Sequence, residues 1–170
     1  MRYLGAILVT LAGAGLGLRQ RGALWARVRT LSALSTALEL MRAEILDRLT
    51  PLPELAGRMQ QAAPEAMRPF FRALSAQMDA LGEAEPGRLW RQAAEETLAR
   101  QLTDYELAQL CAPGEALGRF EAQEQGDALQ RAQRFFTQAA EEARCTAVRT
   151  GRVYLSLGTA AGAMLAIVLL

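Results

Sequence analysis

The chain contains no histidine, and every one of its 19 basic residues is arginine. Loss of histidine removes the usual general base near neutral pH and the commonest metal ligand. The absence of lysine reads as genome composition before function. Cysteine is sparse: Cys111 and Cys145 lie far apart, match no metal-ligand spacing and read as two small residues for an apolar core. No glycine-rich phosphate loop, nucleophile elbow or metal-ligand motif occurs. The carboxylate pairs Glu95-Glu96 and Glu141-Glu142 are sequence neighbours, which point in different directions on a helix, so they read as solvated faces. These absences leave no catalytic, cofactor or metal residue to nominate, and the chain reads as non-enzymatic.

Acidic residues are missing from both ends. None occurs before Glu39 or after Glu142. Residues 1–38 carry five arginines (2, 19, 21, 27, 29) and residues 143–170 carry three (144, 149, 152). The middle holds the other 11 arginines and all 18 acids, so ends of +8 flank a centre of −7. Basic ends around an acidic centre suggest ends that touch a membrane and a centre that does not. An acidic centre also disfavours nucleic acid as a partner, because a nucleic-acid surface needs clustered positive charge. The length, 170 residues with 51% hydrophobic, fits one domain.

Two long stretches are uncharged. Tyr3–Leu18 and Val153–Leu170 would span about 24 and 27 Å as helices, against a bilayer core of about 30 Å. Both read as transmembrane helices, at 1–18 and 153–170, with residues 19–152 between them. Arg19, Arg21, Arg27 and Arg29 follow the first run, and Arg144, Arg149 and Arg152 precede the second. Arginine is retained on the cytoplasmic side, so the middle domain is expected there, with no folded domain beyond the second run. Tyr3 and Tyr154 fit the interfaces. The other reading of the first run is a cleaved signal peptide ending near Ala12-Gly13-Ala14, which the following arginines oppose. Gly13 and Gly17, and Gly158 and Gly162, lie one turn apart and would let helix backbones approach closely, although short spans are often glycine-rich for no such reason.

The middle shows helical periodicity and no strand alternation. Leu24, Val28, Leu31, Leu34, Leu38, Met41, Ile45 and Leu49 form one apolar stripe on a long helix. Thr50-Pro51-Leu52-Pro53-Glu54 ends it, with Thr50 a candidate cap and Pro51 suited to the first turn of a helix running to about Ala63. Pro64 opens a third helix with Met67, Phe70, Phe71, Leu74, Met78 and Leu81 on one side. Gly82–Gly87 reads as a loop, and Leu89, Trp90, Ala93, Thr97 and Leu98 mark a fourth helix. Thr103-Asp104-Tyr105-Glu106 reads as a capping box opening a fifth, which Pro113-Gly114 breaks. A last long helix starts near Phe120 and passes Leu129, Phe135, Phe136 and Val148, with Gly126 its weak point. The expected architecture is all-α: an antiparallel bundle of about six helices flanked by the two spans.

Four stretches resemble the stage III sporulation protein AB family of endospore-forming bacteria. They are the glycine-rich first run with its basic flank, and Glu44-Ile45 followed by Thr50-Pro51-Leu52-Pro53-Glu54-Leu55, similar to the family's "EI…TPLPEA" junction. Leu117-Gly118 with Glu121 and Gln125 is similar to an "LG..D…Q" pattern, and Gly151–Leu170 to its small-residue terminal span. Glu121 departs from the usual Asp, and Pro113-Gly114 precede the turn closely. The resemblance covers essentially the whole chain.

The resemblance implies a membrane platform in the channel-like complex between mother cell and forespore, with the soluble domain in the mother-cell cytoplasm. It implies other stage III sporulation membrane proteins, and the secretion-type ATPase of that complex, as partners beside the lipid bilayer. Glu44, Thr50, Pro51, Leu52, Pro53, Gly118 and Glu121 are the candidate partner-binding residues. Three of them have a plainer role open: Glu44 could simply pair with Arg48 one turn on, and Thr50 and Pro51 could simply cap a helix. A membrane-anchored regulatory adaptor unrelated to secretion machinery is the alternative function.

Overall fold

Six α-helices and one 3-10 turn form the described part of the chain: α1 (Arg2–Arg48), α2 (Leu52–Ala62), the 3-10 turn (Glu65–Met67), α3 (Arg68–Leu81), α4 (Pro86–Leu98), α5 (Asp104–Gly114) and α6 (Ala122–Leu169). The structure is a computed structural model. It describes the backbone of residues 2–81 and 85–169 and the side chains of residues 19, 21–79, 85–150 and 164. No strand occurs among the described residues, as the helical periodicity predicts. Both apolar ends belong to long helices, since α1 starts at Arg2 and α6 ends at Leu169. Among the described residues no helix is long and apolar enough to cross a membrane. The side chains of the two runs themselves, and with them Gly13, Gly17, Gly158 and Gly162, lie outside the described residues.

The chain divides into two compact units, Met1–Val28 with Ala140–Leu170, and Arg29–Ala139. In the first, Val28, Ala140 and Ala147 are buried. Cys145, expected in a core, is exposed there because it shares a face of α6 with Glu141, Glu142 and Arg149, three and four residues away and themselves exposed.

In the second unit the α1 stripe works as the spacing predicts. Leu31, Leu34, Leu38, Met41 and Ile45 are each at most 5% exposed. α6 runs antiparallel beside α1, and two contacts fix the register. Ser35 and Thr137 share a hydrogen bond of 2.6 Å, and Leu46 lies against Gly126. Eleven residues forward on α1 is eleven back on α6. Gly126, expected as a weak point of the helix, is therefore a place of close helix approach where a side chain would collide.

Between these helices the chain folds back on itself through short connections, with α2 on α3, α3 on α4 and α4 on α5. Trp90 is the centre of that stack. Its indole meets Phe70 edge to face at 4.8 Å, and Phe70 meets Phe71 likewise at 5.0 Å. The indole N–H, which must find an acceptor when buried, donates to the Leu110 carbonyl at 2.8 Å. Gly114 closes α5 directly on that ring, since a Cβ there would stand 2.5 Å from Trp90 Cδ1.

The capping box forms as read: Thr103 Oγ1 accepts from the Glu106 amide, and Glu106 Oε2 accepts from the Thr103 amide at 2.8 Å. α5 ends at Pro113-Gly114 as read, with both residues in its last turn; a proline there forfeits one amide bond, while its carbonyl still accepts from Ala116 and Leu117. One boundary shifts. Pro86 and Gly87 belong to α4 and not to the preceding loop, because Pro86 supplies a helix-compatible φ at the first position.

Candidate functional site

Glu44 stands one turn before the end of α1, and its carboxylate gathers the corner that follows. Oε1 accepts from Arg48 at 2.9 Å, and Oε2 accepts from Arg58 at 3.0 Å and from Thr50 Oγ1 at 3.2 Å. Arg58 also pairs with Glu54 at 3.2 Å within α2. One half-buried carboxylate thus joins the end of α1, the corner and the second turn of α2. The pairing with Arg48 was the plainer role open to Glu44, and the structure adds two further partners to it.

Thr50 does not cap α2. The N-cap is Pro51, with no side-chain cap, and Pro53 is the proline inside the first turn. The hydroxyl of Thr50 is occupied by Glu44 and its amide bonds the Glu44 carbonyl at 3.4 Å, which turns the residue toward α1. Leu49 is the larger departure. It was placed on the buried stripe, but α1 ends at Arg48, Leu49 has φ +52° and its side chain is 70% exposed. A left-handed residue reverses the helix path, so the periodicity that buries Ile45 no longer governs the next position.

Gly118 lies in the turn between α5 and α6 with φ +75°. A Cβ there would stand 3.1 Å from Pro86 Cγ and 4.0 Å from Leu52 Cδ2. The glycine therefore meets both requirements, the backbone conformation and the space. This contact brings three connections to one end of the second unit: the α1–α2 corner at Leu52, the start of α4 at Pro86 and the turn at Gly118. Arg119 donates to Glu85 at 2.8 Å across the same junction.

The remainder of the pattern builds the start of α6. The Glu121 carbonyl accepts from the Gln125 amide at 3.1 Å, and the Gln125 side chain donates to the Phe120 carbonyl at 2.7 Å. Leu117 is fully buried, while Phe120 is 54% exposed.

Of the seven nominated residues, the structure joins Glu44 with Thr50 and brings Leu52 to Gly118. Pro51, Pro53 and Glu121 are exposed at the same connections. Sequence reasoning missed Pro86, Leu49 and Phe120. The signal for Pro86 was present as an acid-proline-glycine string that suits a helix start as well as a loop. Nothing in the sequence distinguished Leu49 from a core leucine.

Among the described residues no group of three His, Cys, Asp or Glu could hold a metal ion. The buried acid Glu106 is committed to its capping box. Burial pushes the Cys111 thiol above its ordinary range, with Arg91 opposing and Glu95 and Glu115 reinforcing, which makes the thiol a poor nucleophile.

A solved structure of stage III sporulation protein AB matches this fold with a TM-score of 0.63 at 23% identity, covering 72% of this chain and 97% of that one. No curated protein sequence matches. The family model of stage III sporulation protein AB matches residues 2–170. The chain belongs to the stage III sporulation protein AB family.

Proposed function

We propose that this chain is a non-enzymatic membrane platform of the complex between mother cell and forespore, and that the end of the bundle around Leu52, Pro86 and Gly118 docks a secretion-type ATPase. Family membership makes it a stage III sporulation protein, and the family is not a known enzyme family. The observation that carries the docking reading is the convergence of three connections on one end, with Pro51, Pro53 and Phe120 left in solvent around them. Loops held on a rigid scaffold are where binding residues concentrate.

The anchoring reading comes from the sequence. Two uncharged runs at the ends, each flanked on its inner side by arginines, fit two spans with the intervening bundle in the mother-cell cytoplasm. The lipid bilayer, the other stage III membrane proteins and the ATPase are then its partners.

Co-purification from sporulating cells in mild detergent tests this. Recovery of a secretion-type ATPase with other sporulation membrane proteins is the expected result. A clean preparation without them, reproduced after crosslinking, would overturn the platform reading and leave a membrane-anchored adaptor.

A further inference from the structure

We infer that Leu49 and Phe120 form the apolar centre of an acidic docking face, whose occupant is a protein surface with an apolar socket rimmed by arginine or lysine. This deepens the docking reading above and rests on it, by naming the chemistry of the surface that docks.

Leu49 is held out of the core at a conformational cost. Its left-handed φ is one that glycine adopts freely and a leucine does not. Its side chain is 70% exposed, so burial within the bundle offsets little of that cost. Phe120 is 54% exposed on a turn whose carbonyl is fixed by Gln125. Its ring borders a cleft of about 340 Å³ shared with Ala116, Glu124, Asp127 and Arg131. Tyr105 is also exposed in this unit, but it already has a ring partner in Phe135 at 5.6 Å. Among the described residues no ring pair includes Phe120, and Leu49 and Phe120 share an end because Leu52 lies by Gly118 and Leu46 by Gly126.

Charge selects the occupant. Arg48, Arg58 and Arg119 at this end are each tied to a glutamate, Glu44, Glu54 or Glu85. Asp47, Glu121 and Glu124 are exposed and carry no ion pair among the described residues. Asp127, which lines the same cleft, and the exposed Arg88 and Arg131 are likewise in no ion pair among the described residues, so four acids stand against two arginines and the uncompensated balance around the two apolar side chains is negative. Such a rim repels nucleic acid and anionic lipid and attracts a basic protein surface, while an apolar centre inside a polar rim is the usual anatomy of a protein–protein contact.

The test uses full-length protein in detergent, with the purified secretion-type ATPase of the complex as probe, and measures Kd at two salt concentrations. Leu49→Gly and Phe120→Ser should each weaken binding at least tenfold, while the thermal unfolding midpoint of Leu49→Gly holds or rises. Wild-type affinity should fall with added salt, and Asp47→Asn with Glu121→Gln and Glu124→Gln should flatten that dependence. Tyr105→Ser should bind as wild type. Wild-type binding that both apolar variants keep within twofold overturns this face and leaves the ATPase docked through other residues of that end. Affinity that rises with salt overturns the charge assignment. No binding by wild type overturns the docking reading, and this inference with it.

Discussion

Gly126 of α6 lies so close to Leu46 of α1 that a Cβ on the glycine would stand 2.9 Å from Leu46 Cδ2 and 3.1 Å from its Cγ. Two opposing effects meet at this position. Replacing a helix-interior glycine by alanine gains about 1 kcal/mol of helix propensity. Forcing a methyl into a filled space costs about 1–3 kcal/mol, less where a half-buried leucine can swing aside. Gly126→Ala alone should therefore change stability by less than about 1 kcal/mol. With Leu46→Ala already present the steric term vanishes, and Gly126→Ala should stabilise by about 1 kcal/mol. Denaturant unfolding of the four proteins in a double-mutant cycle measures the coupling. Additive effects would show that the two helices do not meet here.

Gly118 and Gly57 should respond oppositely to alanine. Gly118 has φ +75° and Pro86 Cγ at 3.1 Å from the missing Cβ. Alanine there should cost about 1–2 kcal/mol, the penalty of a left-handed L-residue, and asparagine should cost less. Gly57 sits inside α2 with nothing within 4 Å of its missing Cβ. Alanine there should stabilise by about 0.5–1 kcal/mol. Thermal or denaturant midpoints of the two variants check both signs.

Glu44 should matter more than any one of its partners. Its carboxylate serves Arg48, Arg58 and Thr50 and is only 22% exposed, whereas Arg48 is 63% exposed. Removing Arg48 deletes one solvent-screened pair, so Arg48→Ala should cost less than about 0.5 kcal/mol. Glu44→Ala deletes three contacts and leaves the Thr50 hydroxyl without its acceptor, and should cost about 1–2 kcal/mol. Equal effects from the two variants in denaturant unfolding would show that the network does not act as a unit.

The bundle was legible wherever one local rule governed a residue. The α1 stripe, the Thr103 capping box and the aromatic face of α3 follow from spacing and capping chemistry that tertiary contacts do not overrule. Leu49 was misread because periodicity carries no mark of where a helix stops, and the prolines that did mark the stop lie two and four residues later. Thr50 was misread because two acceptor-seeking roles were open to its hydroxyl, and the Glu44 carboxylate brought round by the turn took it. Gly126 was read only as a weak point, because a glycine inside a helix signals weakness from the sequence, and only its neighbour Leu46 reveals that the missing side chain is what lets the helices close. The meeting of Leu52, Pro86 and Gly118 joins residues far apart in the chain, which no local pattern encodes.

The two cysteines should separate cleanly in reactivity. Cys145 is exposed and Cys111 is buried with its thiol pushed up by burial. A small maleimide should label one thiol in the native protein and two in denaturant, and Cys145→Ser should abolish the native labelling. Cys111 also gives stability a pH dependence. In the unfolded chain its thiol ionises near the ordinary value of 9.0, while in the folded chain it stays protonated to higher pH. Its contribution is therefore fully present below that ordinary value and lost as pH rises toward the raised one, because only the unfolded state releases the proton in that window. Denaturant midpoints measured from pH 8 to 10 should fall less steeply in Cys111→Ala than in the wild type. Identical slopes would mean that the thiol ionises as readily inside the bundle as outside it, and that the stack of α4 on α5 admits solvent beside Trp90.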